Sequence, residues 1–585
     1  MSQFQTIIKG GTVIDGTGAP ARTADVALAN GRIMAIGHHL GSAAETVDAD
    51  GLLVTPGWVD IHTHYDGQVT WDPVLAQSLW HGVTTVVMGN CGVGFAPARP
   101  DRHAWLIGLM EGVEDIPSKS LAAGLPWNWE SFPQYLDALA ATPRTIDIAA
   151  QVTHGALRAY VMGDRGARNE AATAEDMAAM AALTQEAIAA GAVGFSSSRT
   201  SVHISVDGEP VPGTFAAEEE LIAIGRAVRA TGRGLIEIVN AGVAGEDNAA
   251  LDREMAMIRR VAEQASCPVM FLLVQHNGDP QQWRRQLAVC EEAAAQGVTL
   301  IPQTAGRPIN ILFCFEGEHP WRFMPSYQAI KDLPFAERLT RLRDPALRAC
   351  LLAEQDPNDI GFSLLYKSPS LWSQTFATGE HLNHTPEPSQ SIAAIAIREG
   401  RSPWAVAYDR LLSQDGRAFL MYTVTGYAEG NPDSVYELLR HPQTLLGLSD
   451  AGAHVRFVCD GGVHSYMLRQ WSRDWPAGHR YHLPLEFVVK KLTSDNARVY
   501  GFHDRGVLAP GKRADLNLID LARLRPHTPE MCYDLPAGMP RLVERVDGYV
   551  ATYVKGELVQ AEGRETGARP GGLVRGGSLA EAAGH

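Results

Sequence analysis

The middle of the chain alternates between short β-prone runs and longer helix-forming runs, and this pattern limits the possible folds. After an opening run at 54–61, β-prone runs recur at 84–88, 147–152, 192–196, 235–239, 269–274, 298–302 and 444–449. Helix-forming stretches such as 174–190 and 216–231 lie between them, and the first ends at Gly191, a residue that suits a helix C-terminus. Repeated β-then-α units form parallel sheets, and about eight of them can close into a barrel. We therefore predict an α/β fold, a (β/α)8 TIM barrel spanning 57–500.

Both ends of the chain are rich in short β-prone runs and should form a second, smaller domain. Residues 1–56 contain such runs joined by glycine turns, among them Asn30-Gly31, a strong hairpin signal. Short β-prone runs of the same kind recur in 501–560. We predict a small β-sandwich built from both ends, followed by a glycine- and alanine-rich arm or tail at 561–585.

One stretch, around 303–440, is too long for a single short βα connection. It is rich in aromatic residues, proline and histidine. Long loops on a barrel usually cover the mouth of the active site. We therefore predict an insertion over that mouth that shapes a substrate pocket; a dimer interface is the alternative.

Composition excludes several classes of partner. The net charge is −16 and the pI is about 5.7, so the chain offers no basic stripe for nucleic acid. No apolar stretch of roughly 18 residues predicts a membrane span, and the N-terminus lacks the pattern of a secretory signal. The seven cysteines are scattered, without C-x-x-C, which argues against a disulfide framework or zinc ribbon. We expect a cytoplasmic enzyme that acts on a small molecule, and assembly into a homo-oligomer stays open.

The sequence His62-Thr63-His64 closes the first β-prone run, after Pro56-Gly57. Side chains alternate faces along a strand, so the two histidines point the same way. Two imidazoles on one face can close on one metal ion, and imidazole suits zinc, iron, nickel or copper. The alternative is a pair of polar histidines at a strand end.

Two later strand ends offer matching chemistry. Cys91 lies in a glycine-rich turn after 84–88, where a thiolate would be a strong ligand that could bridge two metals; the alternative is a buried, inert thiol. Asp450 follows the last run. A carboxylate there can hold a metal and take a proton from the water that the metal activates, which makes it the best candidate for a general base. A helix N-cap is the alternative for Asp450.

These residues resemble the amidohydrolase superfamily and, within it, the D-aminoacylase (N-acyl-D-amino-acid deacylase) branch. The matching stretches, which run in order along nearly the whole chain, are 56–64, 82–85, 89–92, 154–158, 194–197, 449–452, 505–506 and 510–515. The resemblance implies the barrel with its sandwich, bound zinc and Asp450 as the base. It also implies Cys91 as a ligand, in place of the carbamylated lysine of other branches.

The chain departs from that branch at two strand ends. The branch has a histidine at the end of the fifth strand, where this chain has Glu237-Ile238-Val239-Asn240. It has Ser-His-x-Lys at the sixth, where this chain has 273–277, and either His276 or Gln275 could take the inward position. Glu237 and His276 are therefore further candidate ligands, for one or two zinc ions.

The sequence thus predicts a metal-dependent hydrolase that cleaves an amide bond, in an N-acyl (D-)amino acid or a related N-acyl amide. Hydrolysis of a cyclic amide, a lactone or a carbamate-type substrate is the alternative, and a non-catalytic member of the superfamily is a third. The candidate substrate-binding residues follow the strands or lie close to Asp450: His154, Arg199, Gln275, His454 and Arg456.

Overall fold

The fold is described from a computed structural model that covers residues 3–358, 361–379 and 381–576. It is an α/β structure in which parallel strands occupy the middle of the chain, as the sequence predicts. No helix among these residues has the length and apolar character needed to cross a bilayer.

The parallel strands form two sheets that follow one another along the chain. The first contains Trp58–Asp60, Val83–Met88 and Asp147–Ala150. The second contains, in order of pairing, Val152–Thr153, Phe195–Ser198, Ile236–Val239, Val269–Leu272, Leu300–Ala305 and Leu445–Gly447. Only Gln151 separates the two sheets in sequence, so Asp147–Ala150 and Val152–Thr153 count as one strand, the third of eight in chain order, and Ile236–Val239 and Val269–Leu272 are the fifth and sixth. A parallel bridge between Thr63 and Ala451 connects the segments that follow the first and last strands. Each predicted β-prone run of the middle region is confirmed as a strand.

One group of apolar side chains from these strands packs into a shared interior. It includes Val59, Ile61, Val87, Ala149, Val193, Leu235, Met270 and Leu445. Because parallel sheets are covered on both faces, their strands are nearly continuously apolar. This explains why the runs stood out in the sequence.

Helices follow the strands and cover their outer side. The predicted helix at 174–190 is observed as Ala174–Ala190, capped by the Thr173 hydroxyl and ended by Gly191 at a φ of 126°. The helices of the alternating region are Ala76–Trp80, His103–Glu114, Ser118–Gly124, Phe132–Ala141, His154–Met162, Asp164–Ala167, Ala174–Ala190, Glu218–Ala230, Asn248–Ala265, Gln282–Ala295, Asp433–Arg440, Val463–Tyr466, Met467–Asp474, Leu485–Leu492 and Ser494–Val499.

Strands from both ends of the chain share one nine-stranded sheet. Its order is Arg564–Glu565, Glu557–Ala561, Tyr549–Val554, Leu516–Ile519, Leu53–Pro56, Phe4–Val13, Arg22–Ala29 and Arg32–Gly37, with Ala43–Asp48 pairing beside Phe4–Val13. Two small antiparallel pairs accompany it: Arg525–Pro526 with Val546–Asp547, and Glu530–Leu535 with Met539–Val543. The start of the predicted tail lies against the strand Asp147–Ala150, where Val574 N donates to Ile148 O. Residues 577–585 lie outside the described residues.

The stretch predicted as an insertion has its own antiparallel sheet and its own apolar core. The strands are Ile309–Phe313, Thr375–Ala377 and Leu420–Thr425. The helices are Pro325–Gln328, Phe335–Leu342, Pro345–Ala353, Phe362–Tyr366, Ile392–Glu399, Pro403–Leu411 and Ser413–Gly416. Leu312 N donates to Phe457 O, which ties this unit to the segment that follows Asp450.

Candidate metal centre

Three buried side chains converge beyond the carboxyl ends of the first two parallel strands. The Sγ atom of Cys91 lies 3.3 Å from His62 Nε2 and 3.8 Å from His64 Nε2. The ligand atoms of these three residues all lie within 4.8 Å of one another, and they form the one such group among the described residues. We call His62, His64 and Cys91 the ligand cluster.

Asp450 completes the arrangement from the last strand. Its Oδ1 lies 3.4 Å from His62 Nε2 and 3.7 Å from His64 Nε2. Two backbone hydrogen bonds bring the first and last strands together here, from His64 N to Ala451 O and from Asp450 N to His62 O. The side chain of Asp450 is 18% exposed, whereas those of the two histidines are almost fully buried. Asp450 therefore stands between the ligand cluster and the opening.

Two of these residues adopt a backbone conformation that is uncommon outside glycine. Cys91 has a φ of 56° and Asp450 a φ of 47°. Left-handed backbone at non-glycine residues costs about 1–3 kcal/mol and clusters at functional sites. The tight turns aim both side chains at the same point.

The second ring nitrogen of each imidazole faces an oxygen atom. His62 Nδ1 lies 2.8 Å from Gln303 Oε1 in a hydrogen bond, and His64 Nδ1 lies 3.3 Å from Glu114 Oε1 in a charge contact. When His62 Nδ1–H donates to Gln303, the lone pair on its Nε2 is free for a metal ion. Two imidazoles, a thiol and a carboxylate form a donor set that suits zinc.

The protonation of the centre follows from burial and charge. Burial lowers the pKa of His62 to about 4. Burial also lowers the pKa of His64, but the carboxylates of Glu114 and Asp450 outweigh it and raise the value to about 9. Burial alone would raise the pKa of Asp450; the hydrogen bond from His64 and the charges of both imidazoles hold it well below the usual range. Asp450 is therefore an ionised acceptor.

Glu237 lies next to the ligand cluster. Its Oε2 accepts a hydrogen bond of 3.1 Å from the backbone N–H of Cys91. Burial raises the pKa of this carboxyl to about 8. The second oxygen, Oε1, has no hydrogen-bond partner among the described residues.

The two sixth-strand candidates point elsewhere. His276 Nε2 lies 2.7 Å from Gln282 Oε1, at the start of the helix Gln282–Ala295. The Gln275 amide accepts from Ser434 Oγ at 3.0 Å and from Ala428 N at 3.1 Å. The structure does not bring either residue into the ligand cluster, so the proposed role of His276 as a ligand gains no support from it.

Two of the predicted substrate-binding residues make buried contacts behind the strand ends. His154 contacts Ser197 Oγ at 2.8 Å and Glu220 Oε1 at 2.7 Å, and its side chain is fully buried. Arg199 forms an ion pair with Glu254. These partners occupy both side chains within the protein.

Of the remaining candidates, His454 lies near the ligand cluster and Arg456 follows it in sequence. His454 Nε2 lies 3.5 Å from Glu114 Oε2, on the carboxylate that also contacts His64. Arg456 Nε donates to Asp115 Oδ2 at 3.0 Å, and its side chain is 27% exposed. Both follow Asp450 in sequence and stay candidates for substrate contact.

Three further residues near the centre were not found from the sequence. Gln303 contacts His62, and Glu114 lies beside His64. His203 lies in the loop after the strand Phe195–Ser198, where its Nδ1 is 2.9 Å from Ser198 Oγ. Burial lowers the pKa of His203 to about 3, and charges of the centre contribute. Gln303 could have been found as a polar residue ending the run 298–302; Glu114 and His203 carry no sequence signal.

Comparison with known proteins supports the resemblance to amidohydrolases over almost the whole chain. Residues 45–560 match the sequence profile of the Amidohydrolase family. The D-aminoacylase of Alcaligenes xylosoxydans xylosoxydans is 30% identical over 98% of this chain and 97% of its own length.

Two solved structures share the fold over the same extent. A D-aminoacylase whose binuclear metal centre has been studied is 25% identical, with a TM-score of 0.64 over 98% of this chain and 100% of that one. The N-acyl-D-glutamate deacylase of Bordetella bronchiseptica, complexed with zinc and a phosphonate inhibitor, is 26% identical, with a TM-score of 0.63 over 98% and 99% of the two chains. With a family profile matched along most of its length and a relative at this identity, the chain belongs to the amidohydrolase family.

Proposed function

We propose that this protein is a metal-dependent hydrolase that cleaves the amide bond of an N-acyl (D-)amino acid or a related N-acyl amide. The observation that carries the proposal is the convergence of His62 Nε2, His64 Nε2 and Cys91 Sγ beside Asp450 Oδ1. Relatives that act as D-aminoacylase and as N-acyl-D-aspartate and N-acyl-D-glutamate deacylases support the substrate class.

Zinc is the metal that we propose, held by His62, His64 and Cys91 with Asp450 as a further ligand. A bound zinc ion lowers the pKa of a water molecule and polarises a carbonyl group. Side chains of the protein orient the metal ligands and move the proton. Gln303 keeps the imidazole of His62 in the tautomer that leaves Nε2 free, and the carboxylate of Glu114 lies 3.3 Å from Nδ1 of His64.

Asp450 would move the proton. It is ionised, and its side chain is the exposed member of the group. A carboxylate in that position can take a proton from the attacking water and then give it to the nitrogen that leaves. His454 and Arg456, which follow it, would contact the substrate at the mouth.

For the architecture, we propose a closed (β/α)8 barrel spanning 57–500 with a β-sandwich built from 1–56 and 501–560. The parallel pairing follows chain order and is interrupted only at Gln151, and the Thr63–Ala451 bridge joins the segments after the first and last strands; both observations support closure. The shared nine-stranded sheet supports one domain from both ends. The contact between Leu312 and Phe457 supports an insertion placed over the mouth.

The test of the mechanism is Asp450→Asn. We expect the variant to lose turnover of its best substrate by at least about 100-fold, the lower end of what a general base contributes, while zinc stays bound through the ligand cluster. Zinc content by elemental analysis and kcat are measured together. Asp415→Asn, at a side chain that is 78% exposed, is the control. An active Asp450→Asn enzyme would remove Asp450 from the mechanism.

The substrate class is tested by a panel. N-acyl-D-amino acids, N-acyl-L-amino acids, simple N-acyl amides, lactams, lactones and carbamates are offered to the zinc-loaded protein. Turnover confined to open-chain N-acyl compounds supports the proposal. Turnover confined to lactams, lactones or carbamates would replace it with the alternative that the sequence left open.

A further inference from the structure

We propose that this chain holds a single metal ion, because apart from Glu237 the inward positions of its fifth and sixth parallel strands near the ligand cluster carry aliphatic side chains. The inference rests on the proposed function, since it concerns the number of ions in that same centre. It differs from the related D-aminoacylase, which has a binuclear metal centre.

The direction of the sixth-strand side chains follows from strand register. Gln303 points inward, because its Oε1 reaches His62 Nδ1. In the parallel pairing, Leu272 lies opposite Gln303. Directly paired residues of neighbouring strands project to the same face of the sheet. Leu272 therefore projects inward at the level of His62.

The fifth strand gives the same result independently. Glu237 points inward, because it accepts from the backbone of Cys91. It is paired with Met270, which packs in the shared apolar interior. Side chains alternate along a strand, so the next inward positions are Val239 and Leu272. Both strands thus present an aliphatic group at the level of the ligand cluster.

The apolar surface continues above this level. Val274, two residues beyond Leu272, packs with Ala305 and Leu448 from the seventh and eighth strands. Val243 and Ile309 pack against the same group. Hydrocarbon side chains have no lone pair to give to a metal ion, so these positions cannot supply ligands.

The polar residues nearby do not make up for that loss. His276 is hydrogen-bonded to Gln282, and Gln275 is hydrogen-bonded to Ser434 and Ala428. Glu237 uses Oε2 to accept from Cys91 N. Among the described residues, His62, His64 and Cys91 form the one group of three or more His, Cys, Asp or Glu residues whose ligand atoms lie within 4.8 Å of one another. Zinc sites keep at least three protein ligands, so a second ion beside Glu237 lacks a ligand set.

The test counts metal ions bound to the intact protein. The zinc-loaded chain is dialysed, and its zinc-to-protein ratio is measured by elemental analysis for the wild type, Glu237→Gln and His276→Gln. We expect about one ion in all three proteins. Titration with cobalt(II) gives a second readout, because the thiolate of Cys91 should produce one charge-transfer band that saturates at one equivalent.

The outcomes separate this inference from the proposed function. Two ions in the wild type would overturn the single-ion proposal and leave the hydrolase proposal standing. A fall from two ions to one in Glu237→Gln or in His276→Gln would identify the residue that holds the second ion. No bound ion in the wild type, with the protein folded by circular dichroism, would overturn the metal centre itself.

Discussion

The imidazole of His62 depends on an acceptor that comes from a distant part of the chain. Gln303 Oε1, on the strand Leu300–Ala305, lies 2.8 Å from His62 Nδ1 and fixes the ring. Groups of this kind orient the ligand and raise its basicity, and their loss typically weakens metal binding by about 10–100-fold. We therefore expect Gln303→Met, which keeps the length of the side chain but not its acceptor, to bind zinc about 10–100-fold more weakly.

Competition with a chelating dye measures that dissociation constant. Gln286→Met is the matched control, because Gln286 is also buried but lies on the helix Gln282–Ala295, away from the centre. Its zinc affinity should equal that of the wild type. If Gln303→Met bound zinc as tightly as this control, the orienting role of Gln303 would be wrong.

Single residues show clearly where sequence reasoning succeeds. His62, His64, Cys91 and Asp450 stood out because each follows a β-prone run and carries metal chemistry, and the structure brings all four together. Glu114 ends a helix, and nothing in its local sequence distinguishes it from a solvated carboxylate. Its contact with His64 arises from tertiary packing, which one sequence does not reveal.

Among the elements, the turn 90–92 does most to place a ligand. Cys91 and Gly92 are both in the left-handed region, and a Cβ on Gly92 would lie 2.8 Å from Ser198 N and 3.0 Å from Ser197 Cα. Backbone atoms cannot move aside as a flexible side chain can. We expect Gly92→Ala to displace the turn and with it Cys91 Sγ, so that cobalt(II) binding loses its thiolate charge-transfer band.

The control for this prediction is Gly297→Ala. Gly297 has a φ of 77°, and a Cβ on it would meet no atom within 4 Å, so it shares the backbone strain without the clash. The alanine should cost about 1–2 kcal/mol of stability through its left-handed φ and leave the cobalt spectrum unchanged. A normal thiolate band in Gly92→Ala would show that the turn tolerates the substitution.

For the sixth strand, the sequence could not predict which side chains point inward. The run 269–274 is apolar throughout, so alternation in the sequence does not identify its inward face. For that reason the sequence allowed either His276 or Gln275 to be the inward-facing residue. Pairing of Leu272 with Gln303 settles the direction, and such register depends on the neighbouring strand.

At the scale of the whole molecule, the order of the parts could be predicted better than their limits. The strand Leu300–Ala305 continues past residue 303, and the helix Asp433–Arg440 lies between the antiparallel unit and the last parallel strand. The antiparallel sheet itself runs from Ile309 to Thr425. Aromatic and proline content predicted an insertion in this stretch; its limits depend on which strands pair, a long-range property.

Glu544 joins the C-terminal part of the chain to the parallel-strand region and should make stability depend on pH. It is 2% exposed, its backbone carbonyl accepts from His81 Nε2, and its Oε2 has no partner among the described residues. Burial raises the pKa of Glu544 from 4.5 to about 7, and Asp460 adds to the rise against the opposing charge of Arg307. The folded state thus holds this proton more tightly than the unfolded chain does.

The sign of the effect follows from that difference. Below about pH 4.5 the group is neutral in both states and costs nothing. As pH rises from about 4.5 to about 7 the unfolded chain ionises this carboxyl while the folded protein still holds the proton, so the free energy of unfolding falls by an amount on the order of 3 kcal/mol. Glu544→Gln removes the charge, so we expect its Tm to match the wild type near about pH 4 and to exceed it at about pH 8.5. Thermal unfolding at the two pH values measures this, with the exposed Glu557→Gln as control; an equal Tm difference at both values would contradict the assignment, because a charge-independent effect of the substitution would not vary with pH.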